Sequence, residues 1–306
     1  MRRKVRILVL MLALPGLAIE APSQDRVLTD DFGHVFTLPD RPPRRIVSLA
    51  PNITEILFAV GAGDQIVGVT RYCDHPAEAR EKDRVGGFID PSIEMVLHLK
   101  PDLVIGFRGN PIRTLERIRT LGLPVFVFDI GSDLETLPRF IEKIGRLVHR
   151  EEGASVLAEE VAAALAAAER ERSSRSAEPS VFLTLNARGL WTCGRDSYLD
   201  DILKRAGGWN IAGDISREWV HFSRERLFRD NPDVIVILAP SLEDFASARD
   251  RLSREYRLES LQAFRTNRVC FLDENAASRF GPRLVDTLKS LAACLHPDPA
   301  LGRASR

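Results

Sequence analysis

Short apolar runs alternate with amphipathic segments along most of the chain. In the first half, patterns typical of buried strands cover residues 45–49, 65–69, 102–107 and 124–129. Apolar residues recur at helical spacing in the segments between and after these runs, at 52–60, 92–99, 113–121 and 134–148. Parallel strands need crossover connections, which are commonly helices, so the alternation predicts an α/β lobe with a parallel sheet.

The same alternation resumes in the second half of the chain. Strand patterns cover residues 181–185, 234–238 and 269–272. Helical patterns cover residues 198–205, 224–229, 241–255 and 282–294. The second half is therefore expected to form another α/β lobe with a parallel sheet.

A segment rich in Ala, Glu and Arg lies between the two halves, at residues 151–172. These residue types are strong helix formers. Val156, Leu157, Val161 and Leu165 form one apolar stripe at helical spacing. We therefore expect a single long, rigid helix that joins the two lobes.

Part of the first half recurs in the second half. Residues 92–106 and 223–237 carry Ser, Glu, Pro and Asp at identical spacing. Each copy predicts a helix capped by Ser, then a Pro-Asp turn and a buried parallel strand. One supersecondary unit is therefore used twice, once in each lobe.

The amino terminus has the pattern of a secretory signal peptide. Residues 2–6 are mostly basic and residues 7–18 are apolar, a run too short to span a bilayer. Cleavage is expected after Ala18 or Ala21, so the mature protein is expected to be exported. The predicted regions are a signal peptide at 1–21, a first lobe at 22–131, a helical region at 132–176 and a second lobe at 177–306.

Charge and motif content narrow the possible functions. The chain has 43 basic and 43 acidic residues, and removal of residues 1–21 leaves a net charge of −3. This balance disfavours a nucleic-acid-binding protein. The sequence contains no G-x-S-x-G, H-E-x-x-H or Walker A motif, so nothing in these motifs indicates an enzyme.

Five segments, in order, resemble one protein family. They are 45–61 (RIVSLAPNITEILFAVG), 67–76 (VGVTRYCDHP), 100–106 (KPDLVIG), 206–211 (AGGWNI) and 281–285 (GPRLV). Together they resemble the periplasmic substrate-binding proteins of importers for cobalamin, iron-siderophores and haem, and the cobalamin-binding member most of all. The resemblance implies two lobes on a helical backbone, a ligand in the cleft between them, no resident cofactor and no catalysis. It also implies delivery of the ligand to an ABC permease dimer with its ATPase.

The resemblance further implies a set of ligand-binding residues, five of them aromatic: Tyr72, Phe88, Phe107, Trp191, Trp219 and Arg279. Aromatic rings suit a large macrocyclic ligand, which needs flat apolar walls. Trp191 and Trp219 lie outside the periodic patterns, so both are expected in loops. Phe88 and Phe107 stand where the cobalamin-binding member is expected to carry Trp. An iron-siderophore or haem ligand therefore remains the alternative to a corrinoid.

A second alternative is an exported metalloenzyme. Its candidate ligands are Cys73, His75, Cys193 and His221, which all fall in loops expected to border the cleft. Thiolates and imidazoles are ligands for soft metals. The spacing of these four residues matches no tight metal-binding motif.

The remaining cysteines suggest a disulfide. Cys270 begins a predicted strand and Cys294 ends the following helix, so both are expected at the same end of the second lobe. The family's own pairing uses a Cys where this chain has Ala206. We therefore predict a bond between Cys270 and Cys294 in the oxidising periplasm.

The repeated acids Glu94 and Glu225 have two compatible interpretations. Each lies two residues after a Ser cap, where a carboxylate interacts favourably with the helix dipole. The resemblance implies that each also meets an Arg on one half of the twofold permease. Nothing in the sequence identifies that permease.

Overall fold

The computed structural model describes residues 27–185 and 189–297. The predicted signal peptide at 1–21 lies outside these ranges. Within them, no helix combines the length and the apolar character that crossing a membrane requires. The described residues form two separate sheets, flanked by helices, together with a small hairpin.

The first sheet consists of five parallel strands. A hairpin of β1 (Val27–Thr29) and β2 (Val35–Thr37) precedes it. The strands are β3 (Ile46–Ser48), β4 (Ile66–Val69), β5 (Asp83–Arg84), β6 (Leu103–Phe107) and β7 (Val125–Phe128), in the order β5-β4-β3-β6-β7. The chain runs outward from β3 to one side and then returns to place β6 on the other. The parallel arrangement is the predicted one, and four of the five strands were predicted, whereas β5 was not.

The helices of the first lobe begin where local chemistry favours a start. They are α1 (Pro51–Ala59), α2 (Ile93–His98) and α3 (Ile112–Thr120), with 3-10 turns at Gly63–Gln65 and Ala77–Glu81. Pro51 begins α1, because its fixed φ suits the first helical position. Ser92 caps α2 by accepting a hydrogen bond from the Met95 amide at 3.2 Å.

Two helices connect the lobes. A 3-10 turn at Leu134–Thr136 leads into α4 (Leu137–Val148), which is followed by α5 (Glu151–Ser173). Between the two, His149 adopts a left-handed conformation with φ of 56°. A Cβ atom at Gly145 would collide with the Cβ atom of Ala154, so glycine permits the close approach of α4 and α5.

The long connecting helix is confirmed, but its buried face differs from the predicted stripe. The buried residues of α5 are Ala154, Ala158, Val161 and Leu165. Val156 is 54% exposed, so the prediction that it belongs to the stripe is wrong. Residues two positions apart lie on opposite sides of a helix, and the small Ala154 and Ala158 define the buried side instead.

The second sheet is mixed rather than wholly parallel. Its strands are β8 (Ser180–Leu185), β9 (Trp191–Cys193), β10 (Trp209–Asn210), β11 (Trp219–His221), β12 (Val234–Ala239) and β13 (Val269–Asp273). The order is β11-β9-β8-β12-β13, with β10 also beside β8. Strands β9 and β11 run antiparallel, whereas β8, β10, β12 and β13 pair in parallel. The expectation that Trp191 and Trp219 lie in loops is therefore wrong, because Trp191 lies on the short strand β9 and Trp219 on the short edge strand β11.

The helices described in the second lobe are α6 (Tyr198–Arg205), α7 (Arg224–Asp230), α8 (Leu242–Arg254), α9 (Gln262–Arg265), α10 (Glu274–Ala277) and α11 (Leu284–Leu295). Four of these six helices were predicted, whereas the short α9 and α10 were not. A disulfide joins Cys270 on β13 to Cys294 on α11, with the two Cα atoms 6.3 Å apart. The strand and the returning helix thus bring the two cysteines to one end of the lobe.

One apolar core extends through both lobes and the two connecting helices. Aromatic rings mark its path across the molecule. Phe128 of β7 lies 5.1 Å from Phe140 of α4, measured between ring centroids, and Phe140 lies 5.9 Å from Phe280. Phe280 belongs to the second lobe, so side-chain packing holds the lobes in a defined orientation.

Candidate functional site

The carboxyl ends of the parallel strands in both lobes border a cavity of about 420 Å³. In open α/β sheets, ligands bind outside the carboxyl ends of the strands. The site lies where the connections from two neighbouring strands go to opposite sides of the sheet. In the first sheet β3 and β6 form such a pair: Pro51 and Asn52, which follow β3, and Phe107, the last residue of β6, line the cavity. The lining residues are Pro51, Asn52, Tyr72, Phe88, Ile89, Phe107, Ile130, Tyr198, Ser278, Arg279 and Phe280.

Four of the ligand-binding residues predicted from the sequence line this cavity: Tyr72, Phe88, Phe107 and Arg279. The rings of Phe88 and Phe107 lie 6.4 Å apart. The side chain of Tyr72 is 49% exposed. The first lobe therefore presents an aromatic wall with one accessible phenol.

Trp219 lines a second cavity of about 200 Å³ beside the first. The two cavities share Ile130, Tyr198 and Ser278, and we call them together the groove. Arg108 of the first lobe and Glu218 of the second also line the smaller cavity and form an ion pair across it.

Trp191 lines neither of these two cavities. Its ring stands edge-on to the imidazole of His221, at 5.5 Å between centroids, and the residue is 38% exposed. The register of β9 and β11 places Trp191 opposite His221, whereas Trp219 lies opposite Cys193. Trp191 therefore lies beside the groove rather than within its described lining.

Sequence reasoning missed several groove residues of the second lobe. Tyr198 and Phe280 pack ring to ring at 5.3 Å, and the Tyr198 hydroxyl donates to the Ala277 carbonyl at 3.0 Å. Burial raises the pKa of Tyr198, so this phenol stays neutral. Phe280 directly follows Arg279, which the sequence had assigned to the ligand site. That adjacency is the sequence signal that could have identified Phe280 as a groove residue.

The guanidinium group of Arg279 is bound mainly to residues of the first lobe. Its Nη1 atom donates to Glu55 Oε1 at 2.9 Å and to Asp74 Oδ1 at 2.6 Å. Its Nη2 atom donates to the Tyr72 carbonyl at 3.1 Å and to Asn275 Oδ1 at 3.3 Å. Partial burial raises the pKa of Asp74, but the hydrogen bond and charge of Arg279 outweigh it and lower that pKa overall.

Arg283 completes the polar cluster at the edge of the groove. Its Nε atom donates to Glu55 Oε2 at 2.9 Å, and its Nη2 atom donates to Glu55 Oε1 at 2.6 Å. Glu55 itself is only 4% exposed. A buried carboxylate of the first lobe thus binds two arginines of the second.

The four residues of the metalloenzyme hypothesis do not come together. Cys73 is buried in the first lobe, where Thr54 and Thr70 lie at 3.1 Å from its sulfur, and Cys193 is buried in the second lobe. Burial raises the pKa of Cys73, and burial raises that of Cys193 to about 12. Among the described residues, no group of three His, Cys, Asp or Glu side chains is placed to hold a metal ion.

Glu94 and Glu225 are both exposed, in the first turns of α2 and α7. Both helices precede a strand of their sheet, so both begin at the sheet edge that borders the groove. The Glu94 backbone amide and the Ser92 hydroxyl, which lies 3.0 Å from Glu94 Oε2, lower the pKa of Glu94. Each lobe therefore presents one exposed carboxylate on the groove side.

Comparison with known proteins gives one family. The family model described as "Periplasmic binding protein" matches residues 46–276. The vitamin B12-binding protein of Yersinia pseudotuberculosis is 32% identical over 204 residues, which cover 66% of this chain and 72% of that protein. The family match covers the groove residues of both lobes up to α10.

Solved structures show the same architecture. The periplasmic heme-binding protein RhuT from Roseiflexus sp. RS-1 has a TM-score of 0.75 and 30% identity, covering 82% of this chain and 97% of its own. The vitamin B12-binding protein BtuF of Vibrio cholerae has a TM-score of 0.72 and 29% identity, covering 83% and 97%. Heme-binding and B12-binding structures therefore resemble this chain to a similar degree.

Proposed function

The chain belongs to the periplasmic binding protein family, and we propose that it binds cobalamin or a related corrinoid in the groove between its lobes. On this proposal the mature protein works in the periplasm after its signal peptide is removed, and catalyses no reaction. It delivers the ligand to the permease of an ABC importer. The family match, together with its B12-binding and heme-binding relatives, supports a macrocyclic ligand for this chain.

The observation that carries the proposal is an aromatic groove at the facing sheet edges. Tyr72, Phe88 and Phe107 supply rings from the first lobe, and Trp219 and Tyr198 supply rings from the second. A corrinoid is a broad macrocycle, and aromatic side chains provide large contact areas with little loss of conformational entropy. The B12-binding relatives support this choice of ligand.

A second candidate ligand is haem, and Tyr72 favours it. A phenolate oxygen is one of the protein ligands that haem iron accepts. The Tyr72 side chain is half-exposed at the cavity, and the guanidinium carbon of Arg71 lies 5.9 Å from its ring centroid. The heme-binding relative of similar fold and identity adds support for this alternative.

Delivery requires a surface that the permease can recognise. We assign this role to Glu94 and Glu225, one exposed carboxylate on each lobe at the groove side. A twofold permease presents the same surface twice, so two equivalent acids suit paired arginines. The repeated sequence unit that carries both acids supports the assignment.

Calorimetric titration with cobalamin, cobinamide, haem and a set of iron-siderophores tests the proposal. We expect saturable binding with 1:1 stoichiometry for a corrinoid and much weaker binding for the other ligands. The Tyr72→Phe variant separates the two candidates, because it removes an iron ligand but preserves the ring. Tight haem binding that this variant abolishes would identify a haem carrier instead, and no binding to any macrocycle would overturn the proposal.

A further inference from the structure

Glu55 lies at the point where the two lobes meet beside the groove. It belongs to α1, whose first residues, Pro51 and Asn52, line the larger cavity. Its carboxylate accepts three hydrogen bonds from the second lobe, one from Arg279 and two from Arg283. The sequence separations are 224 and 228 residues, so these bonds connect distant parts of the chain.

Most of the hydrogen-bond donors of Arg279 are used in contacts at the junction of the two lobes. A guanidinium group has five N–H donors. Four of them have acceptors in the protein: Glu55, Asp74, the Tyr72 carbonyl and Asn275. The sequence-based prediction assigned Arg279 to the ligand, whereas its contacts are mainly those of a bridge between the lobes.

The charges of the cluster balance. Glu55 and Asp74 contribute two negative charges, and Arg279 and Arg283 contribute two positive charges. The side chains of Glu55 and Arg279 are 3% and 10% exposed, respectively. Removing one carboxylate would leave a partly buried excess of positive charge, which is unfavourable in a site shielded from water.

The backbone beside this cluster is also in close contact across the lobes. The Asn52 side-chain amide lies 3.5 Å from the Phe280 carbonyl, and a Cβ atom at Gly281 would lie 3.9 Å from the Asn52 carbonyl oxygen and from Glu55 Oε2. Phe280 and Arg279 also line the groove. A change in these contacts would therefore shift one wall of the groove against the other.

We propose that Glu55 is a positioning residue that sets the width of the groove and thereby slows ligand release. We call Glu55, Arg279 and Arg283 the interlobe clamp. The part of this inference that concerns release rests on the proposed function, since it requires a ligand in the groove. The part that concerns lobe separation does not.

The test compares three variants, each checked for folding by circular dichroism and thermal melting. Glu55→Gln preserves shape but removes the charge. Glu55→Gln combined with Arg283→Gln removes the same interlobe bonds without leaving an excess positive charge. Effects that this variant shares with Glu55→Gln therefore come from loss of the clamp and not from charge-induced destabilisation. Glu160→Gln, at an exposed position of α5, is the matched control.

Two measurements are made on each variant. Spin labels at Arg113→Cys and Glu243→Cys, exposed positions on different lobes, report the distance between lobes, since Cys73 and Cys193 are buried. Stopped-flow displacement with cobalamin and with haem reports the rate of release. We expect both Glu55 variants to show a longer, broader distance distribution and release at least about tenfold faster, with the control unchanged.

The outcomes distinguish the two proposals. If Glu55→Gln folds and keeps the wild-type distance and release rate, the proposal of a clamp is overturned. If Glu55→Gln does not fold, the same result with the charge-balanced variant overturns it. Faster release without any change in distance also overturns it, because Glu55 would then act on the ligand directly. If the wild type binds neither macrocycle, the proposed function fails, while the distance measurement still decides whether the clamp fixes the lobes.

Discussion

At the scale of the residue, Trp219 contributes an aromatic surface of the second lobe to the groove. Its indole lies on a three-residue edge strand and lines the smaller cavity, against Arg108 and Tyr198. The resemblance indicated an aromatic role at this position, although not the strand that holds it. Strands of three residues are too short to show an alternating pattern, so periodicity alone could not find β9 or β11.

We expect Trp219→Ala to weaken ligand binding by roughly 10- to 100-fold, because a large aromatic contact is removed from a groove wall. Trp209→Ala is the matched control. Trp209 is 55% exposed and pairs with Ser180 at the start of β8, the edge opposite the groove. Calorimetric titration of both variants measures the ligand affinity. Equal losses of affinity in the two variants would show that Trp219 does not contact the ligand.

The buried thiols should be unreactive in the native protein. Burial raises the pKa of Cys193 to about 12, which keeps the nucleophilic thiolate scarce at neutral pH. We expect iodoacetamide at pH 8 to modify neither Cys73 nor Cys193 until denaturant is added, when two thiols react. Rapid modification of Cys193 in the folded protein, measured by mass spectrometry, would contradict its placement.

The raised pKa of Cys193 also predicts a dependence of stability on pH. A thiol that ionises at higher pH in the folded state than in the unfolded state stabilises the fold below about pH 8.5. That contribution falls as the pH rises from there towards about 12. Cys193→Ala should therefore lose less stability than the wild type between pH 8 and pH 10 in urea titrations, and parallel losses would refute the effect.

At the scale of elements, the sequence predicted most of the secondary structure because strand and helix patterns alternate with clear caps. The bounds of α6 (Tyr198–Arg205) agree with the predicted segment at both ends. What the sequence could not supply was contact between distant elements. Glu55 lies in a predicted helix, where a Glu is normally solvent-exposed, and only the fold brings Arg279 and Arg283 against it.

The disulfide connects two such elements, β13 and α11, and closes a loop of 24 residues. In the chain-entropy model a loop of this size stabilises the folded state by about 3 kcal/mol. Cys294→Ser should therefore lower the melting temperature by several degrees while ligand affinity stays unchanged, since the bond lies away from the groove. An unchanged melting temperature, or free thiols at both positions in unreduced peptide maps, would count against this bond.

At the scale of the whole molecule, the proposed ligand groove and the proposed docking acids lie on different parts of the structure. The ligand groove is lined by loops of both lobes, whereas Glu94 and Glu225 stand exposed on separate helices. The sequence repeat predicted this symmetry between the lobes. It could not predict the distance between the two acids, because that distance depends on how α4 and α5 pack.

Charge reversal at both acids tests this separation of functions. We expect Glu94→Lys combined with Glu225→Lys to abolish transport in cells while ligand affinity stays within about twofold, because neither residue lines the groove. Uptake of the ligand by cells measures the loss of transport, and calorimetric titration measures the ligand affinity. Lost affinity together with lost transport would place the acids in the ligand site instead.

The most direct test of the central claim is a crystal structure of the protein grown with its tightest macrocyclic ligand. We predict one macrocycle between the lobes, in contact with Phe107 on one side and Trp219 on the other. The ion pairs of Glu55 with Arg279 and Arg283 should persist at its edge. A macrocycle bound on any other surface, or a groove too narrow to admit one in the complex, would contradict the account.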